Sequence, residues 1–212
     1  MISMKQDCAL IVFAKAPQPG YAKTRLARVI GDEAAARLAA RMLDETLRQA
    51  VASGLGPVEL CCAPDDTHSE FQLAVARHDV ILSRQGEGDL GVRMRTALER
   101  ALQNHSCALL IGTDCPRLDS AHLREAANRL RFQSAVFLPA TDGGYVLIGL
   151  SRPMPELFDG IAWSTANVMQ QTLDCLDRLG IASAILPPLN DVDEAEDLVH
   201  VPRQWLTKED LR

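Results

Sequence analysis

A chain of 212 residues with a formal charge of −6, 47% hydrophobic and 24% charged residues has the make-up of a soluble globular protein, with enough length to bury a sizeable core. Net acidity argues against the broad basic face that a nucleic-acid partner needs, whereas a short anionic ligand needs only a local cluster of cations. No apolar run reaches membrane-spanning length, no signal-peptide pattern opens the chain, and the six cysteines show neither CxxC spacing nor a Cys/His metal pattern, so reduced thiols and a cytoplasmic location are expected.

Along the chain, short continuous apolar runs alternate with stretches of helical periodicity. The first run, CALIVFA at 8–14, predicts a strand covered on both faces. It leads into the loop KAPQPGYAKTRL. A long helix follows, capped by Asp32, with Leu38, Met42, Leu43, Leu47 and Val51 at helical spacing and its end near Gly54. Strands are then expected at 58–62 and 79–83 around a helix at 66–77. The loop RQGEGDLGVRM opens a helix at 90–103.

The strand at 107–112 precedes the loop GTDCPRLD and a helix at 120–131, with Ser120 as its cap. Two runs, 134–140 and 144–150, are joined through Asp142-Gly143-Gly144, a hairpin signal that makes the sheet mixed. A helix at 164–179, capped by Ser164 and stopped by Gly180, leads to a strand at 181–187, the loop PPLNDVDEAEDL and a helix at 193–200. The expected architecture is one domain over 1–212, an α/β/α sandwich around a mostly parallel, mixed sheet.

Ligands of such sheets bind at the carboxyl ends of parallel strands, so the loops after the strands are where chemistry is sought. The first loop carries Gly20, Lys23, Thr24 and Arg25, a glycine for close backbone approach and cations suited to phosphate oxygens. It is not a P-loop, because Tyr21 and Ala22 separate Gly20 from Lys23. A solvated surface loop has the same composition. Asp114, just past a strand, suits Mg²⁺ or Mn²⁺, and equally a turn before a helix. Asp191, Asp193, Glu194, Glu196 and Asp197 form an acidic run without the pattern of an EF-hand, partly explained as helix-start charge. Asp142 fits a tight turn as readily as a general base. Cys115 has no legible His partner and reads as an inert thiol.

Taken in order, FAKAPQPGYAKTRLA, GDLGVRM, IGTDCPRLDSAHL, LPATDGGYVLIGL, WSTANV and DVDEAEDL resemble the successive motifs of the selenodomain-associated transferases. These small bacterial GT-A-like proteins are described as glycosyltransferases of arsenosugar biosynthesis. They are similar to the nucleotide-diphosphosugar transferase superfamily, which includes molybdopterin and phospholactate guanylyltransferases. The resemblance spans about Leu10 to Leu198 and implies a Rossmann-like GT-A fold. It implies transfer of a glycosyl group from a nucleotide sugar to a small acceptor, or nucleotidyl transfer from a triphosphate, or a non-catalytic nucleotide-binding module.

On this resemblance Ala14, Lys15, Gly20, Lys23, Thr24, Arg25, Gly91 and Arg93 would bind the nucleotide and its phosphates. Asp114 and Asp193, the latter favoured over Asp191, would hold a divalent Mg or Mn ion. Asp142, Gly143, Gly144, Trp163 and Ser164 would face the sugar or acceptor, and Asp114, Asp142 and Lys23 would carry the chemistry. Two positions depart from the family pattern: Thr113-Asp114-Cys115-Pro116 holds one Asp where GT-A enzymes have Asp-x-Asp, and Glu194 replaces a Thr.

Overall fold

The computed structural model describes residues 7–206. Seven strands form one sheet: β1 (Cys8–Lys15), β2 (Val58–Ala63), β3 (Ile81–Arg84), β4 (Cys107–Ile111), β5 (Ala135–Pro139), β6 (Tyr145–Leu150) and β7 (Ser183–Ile185). Their order is β3-β2-β1-β4-β6-β5-β7. Only β6 runs antiparallel to its neighbours β4 and β5, because the tight β5–β6 turn reverses the chain; the other pairings are parallel. The mostly parallel, mixed sheet expected from the sequence is thus present.

Six helices cover it: α1 (Thr24–Ile30), α2 (Asp32–Ser53), α3 (Ser69–Arg77), α4 (Leu90–Leu102), α5 (Ser120–Arg129) and α6 (Val168–Leu179). Alternation along β1 shows the layering. Leu10, Val12 and Ala14 pack with Leu43 and Leu47 of α2, Phe71 of α3 and Leu123 of α5. Ala9, Ile11 and Phe13 face Met94 and Leu98 of α4 and Leu176 of α6. Because both faces are covered, the strand is apolar throughout rather than alternating. A third cluster joins Leu26 of α1 and Leu38 and Met42 of α2 to Val192 and Val201 near the end of the described chain.

Several local expectations are corrected. The first loop contains a short helix, α1, that its Pro- and Gly-rich start conceals. Asp32 is the first residue of α2 and makes no cap bond; Gly31 occupies the cap position. Asp119, not Ser120, caps α5, accepting the N–H groups of Ala121 and His122. The last helix of the sandwich begins at Val168, and Ser164 stands outside it with φ 63°. The acidic stretch near the end forms a 3₁₀ turn over Ala195–His200. Among the described residues no helix is long and apolar enough to cross a membrane.

Candidate active site

The sheet topology fixes where a ligand can enter. From β1 the chain crosses to β2 on one side, whereas β4 pairs on the other side of β1. The crevice outside the carboxyl ends of β1 and β4 is therefore the switch point at which open α/β sheets bind ligands. The loop after β1 supplies Lys23, and the loop after β4 supplies Asp114.

A third segment completes the crevice. The Val192 N–H donates to the Asp114 carbonyl at 2.8 Å, which lays Asp191–Asp193 against the β4 loop. Leu26, packed with Val192, holds α1 against the same segment. Lys23 consequently projects between the two acidic loops. Its ammonium pairs with Asp114, lies 3.6 Å from Asp193 and donates to the Val192 carbonyl at 2.5 Å. The lysine side chain is 5% exposed, against 55% for Asp114 and 44% for Asp193. Arg25 stands outside this contact, 3.4 Å from Asp193 and 3.5 Å from Glu194.

Lys23 adopts φ 52°, the left-handed region, and Ser164 adopts φ 63°. Non-glycine residues occupy this region at a cost of about 1 kcal/mol or more, and such positions concentrate at functional sites. These are the two positive-φ non-glycine residues among the described ones, and each borders the crevice.

Two adjoining cavities share Asp114, Asp193, Leu90, Met94 and Tyr145 as a common wall. The first, about 490 Å³, is bounded by Arg25, Asp142, Gly144, Trp163, Ser164 and Asp191. The second, about 320 Å³, lies over the end of β1 and is bounded by Phe13, Lys15, Lys23, Gln85 and Leu110. Each is within the size range of small-molecule sites. Asp142 accepts the Gly144 N–H at 2.8 Å, so it shapes the hairpin turn and borders the larger cavity at once. The Asp191 carboxyl is pushed up to about 6, first by burial and then by the negative charge of Asp142, with Asp197 and Asp193 adding to it. Asp197 itself accepts the backbone N–H groups of Asp193 and Glu194, which is a structural task.

Lys15, Lys23, Arg25, Asp114, Asp142, Gly144, Trp163, Ser164 and Asp193 are therefore brought together. The remaining candidates sit elsewhere. Gly20 and Thr24 are exposed and border neither cavity. Arg93 turns back to donate to the Gly88 carbonyl. Gly91 lies under Trp163, where an added Cβ would fall 2.1 Å from the indole nitrogen. Gly143, at φ 94°, meets the Ala166 backbone just as closely. These two glycines pack the site's walls rather than lining them. Ala14 is buried, and its carbonyl accepts from Gln85. Gln85 and Tyr145, whose buried hydroxyl has no partner, escaped the sequence reading. A polar residue immediately after a strand was the available signal for Gln85.

Among the described residues no group of three or more His, Cys, Asp or Glu is arranged to hold a metal ion. Asp114 and Asp193 nonetheless provide hard oxygen donors that converge on one cation, the Lys23 ammonium. Mg²⁺ and Mn²⁺ are commonly held by one or two carboxylates together with a ligand's phosphates and water. The residues fit such a shared ion, provided that Lys23 withdraws.

Comparison with solved structures gives a similar fold over almost the whole chain. A protein of Desulfovibrio desulfuricans, provisionally described as a nucleotide-diphospho-sugar transferase, is 32% identical with a TM-score of 0.85, covering 94% of this chain and 87% of its own. The 4-diphosphocytidyl-2C-methyl-D-erythritol synthase of Anaerococcus prevotii shares the fold at 12% identity and TM-score 0.63, with 92% and 96% covered. Rv0371c of Mycobacterium tuberculosis, solved with manganese, does so at 16% and 0.54, with 92% and 97% covered. No curated protein matches. A family profile matches residues 46–165, more than half of the chain, and with the Desulfovibrio relative it places this protein in the bacterial family described as "Uncharacterized protein conserved in bacteria (DUF2064)".

Proposed function

We propose that the protein is a cytoplasmic, single-domain transferase that moves a glycosyl group from a nucleotide-diphosphate sugar to a small acceptor, assisted by Mg²⁺ or Mn²⁺. The observation that carries this reading is the Lys23 ammonium held between Asp114 and Asp193 at the junction of two cavities. Cations and carboxylates from different strands thereby converge where a diphosphate would cross from one cavity to the other. The description of the Desulfovibrio relative supports a sugar donor, as does the motif resemblance to the arsenosugar transferases.

In this scheme the smaller cavity takes the nucleoside, and Lys15, Lys23 and Arg25 meet the phosphates. The bond between the anomeric carbon and the β-phosphate oxygen breaks, and the acceptor oxygen takes its place. Negative charge collects on the leaving diphosphate, where positioned cations stabilise the transition state most. Asp114 and Asp193 would hold the divalent ion, which supplies Lewis-acid stabilisation of that charge when bound. The acceptor lies in the larger cavity against Trp163 and Ser164. Asp142, or Asp191 with its raised pKa, receives the acceptor's proton.

Nucleotidyl transfer with pyrophosphate release is the second reading, favoured by the fold shared with the Anaerococcus synthase. Incubation with nucleotide sugars and with nucleoside triphosphates, each with Mn²⁺, separates the two. Release of nucleoside diphosphate from a sugar donor, abolished in Asp114→Ala, is expected. Pyrophosphate release from a triphosphate would replace the reading with the second, and nucleotide binding without turnover across donors and acceptors would leave a binding module.

A further inference from the structure

The larger cavity carries more negative charge than a shared metal ion and a catalytic base require. Its walls hold Asp114, Asp142, Asp191 and Asp193 against one cation, Arg25. Asp114 and Asp193 are answered by Lys23, and Asp193 also by Arg25. Asp142 and Asp191 are not. Asp142 accepts the Gly144 N–H, and among the described residues no Lys, Arg or His pairs with either carboxylate. Burial and the neighbouring Asp142 charge both oppose ionisation of Asp191. An adjoining cavity of about 430 Å³ carries the same field outward, sharing Asp142, Asp191 and Asp193 and adding Glu194 and Glu196.

Carboxylates alone would suit a hydrated metal ion as well. The rest of the cavity does not. Trp163 and Tyr145, edge to face at 6.4 Å, line it together with Met94 and Val168. Aromatic side chains beside carboxylates favour organic cations, because attraction to a ring face adds to the ion pair. Tyr145 also keeps an enclosed hydroxyl without a partner, a second unpaired polar group in the same wall. An ammonium group brings both the charge and the N–H donors that these groups lack.

We propose that the acceptor is a small alcohol bearing an organic cation, an ammonium or alkylated ammonium, which settles against Asp142, Asp191 and the wall of Trp163 and Tyr145. This rests on the transferase reading and names its acceptor class. One positive charge neutralises one of the two carboxylates, so the other remains to take the hydroxyl proton. A phosphorylated or carboxylated acceptor meets the same field as repulsion.

Ligand-observed NMR titration at low ionic strength tests this on the wild-type protein, Asp142→Asn and Asp191→Asn, each alone and with Mg²⁺ and a nucleoside diphosphate. The probes are ethanolamine, choline, 3,3-dimethylbutanol (choline's shape with carbon for nitrogen) and the anion hydroxypivalate. The amide of Asp142→Asn keeps an oxygen for the Gly144 N–H. Wild-type protein should bind ethanolamine or choline about tenfold or more tightly than either other probe. In both variants that preference should shrink to about threefold or less. Equal affinity for choline and 3,3-dimethylbutanol, or no binding of either cation up to about 10 mM in any state, overturns the proposal. A preference unchanged in both variants overturns the role of the two carboxylates, and complete displacement of the organic cation by Mg²⁺ would make the pair a metal site. Binding of the adenine, guanine, cytosine and uracil nucleoside diphosphates is measured in the same samples. Where one binds but the cation preference fails, the transferase reading stands without this acceptor class. Where none binds, that reading fails, and the acceptor role fails with it.

Discussion

Lys23 and Asp114, supplied by loops after two neighbouring strands, form an ion pair in which the lysine is enclosed and the aspartate stays half in water. A buried ammonium is tolerable only with partners, and Asp193 and the Val192 carbonyl complete its shell. The consequence is competition. A divalent ion placed about 4 Å from that ammonium would be repelled by roughly 8 kcal/mol at an effective dielectric of about 20, twice the unit-charge value. Ammonium and metal therefore exclude each other, and a shared ion requires Lys23 to move toward the phosphates.

Lys23→Met should accordingly tighten Mn²⁺ binding to the nucleotide-free protein by about tenfold or more, since two carboxylates lose their resident cation. Nucleoside diphosphate affinity should fall in the same variant. Electron paramagnetic titration of free Mn²⁺ measures the first effect without reference to turnover. Equal Mn²⁺ affinity in both proteins would show that the lysine does not occupy the ion's place.

How much of this was legible depended on whether the cause was local. The strands were, because continuous runs such as CALIVFA need no distant partner to be recognised. Asp114 was legible as a carboxylate past a strand, but its pairing with Lys23 was not. That pairing depends on Leu26 packing against Val192, contacts between opposite ends of the chain. The same contact explains α1, seven residues whose order comes from tertiary burial rather than propensity. Gln85 was invisible because its significance lies in carbonyls of Ala14 and Cys61. Glycines are ambiguous for a related reason: a motif glycine reads equally as ligand approach or as packing, and the closeness of Trp163 to Gly91 and of Ala166 to Gly143 is a tertiary fact that the sequence does not display.

Gly143 offers a direct check of that packing role. Its φ of 94° strains any L-residue, and an added Cβ would lie 2.1 Å from the Ala166 carbonyl oxygen. Backbone on both sides leaves little to yield, and the Met169 N–H bond to the Gly143 carbonyl at 2.9 Å ties the turn to the start of α6. Gly143→Ala should cost about 2–4 kcal/mol and lower the melting temperature by about 5–15 °C. Gly20→Ala is the matched control, with φ 74° but open space around the new methyl. It should cost about 1 kcal/mol, because only the backbone strain remains. Equal losses in scanning calorimetry would mean that the Ala166 contact contributes nothing.

Cys115 adjoins Asp114 in the candidate site and tests whether a thiol could serve there. It is 3% exposed, and burial pushes its pKa up to about 11; Cys62, fully enclosed, is pushed up to about 12 for the same reason. At pH 8 a thiol of pKa 11 is ionised in about one molecule in a thousand, and the thiolate is the reactive form. All six cysteines are buried and none forms a disulfide. Reaction with an aromatic disulfide reagent at pH 8 should therefore be limited by opening of the fold, with less than about one thiol modified in the first minutes. Denaturant should release all six at once. Raising the pH from 8 to 9 should accelerate the native reaction about threefold where opening is fast, since the opened thiol has an ordinary pKa of about 8.5. A single thiol that reacts rapidly and stoichiometrically at pH 8, and is lost in Cys115→Ser, would instead identify an activated cysteine beside Asp114.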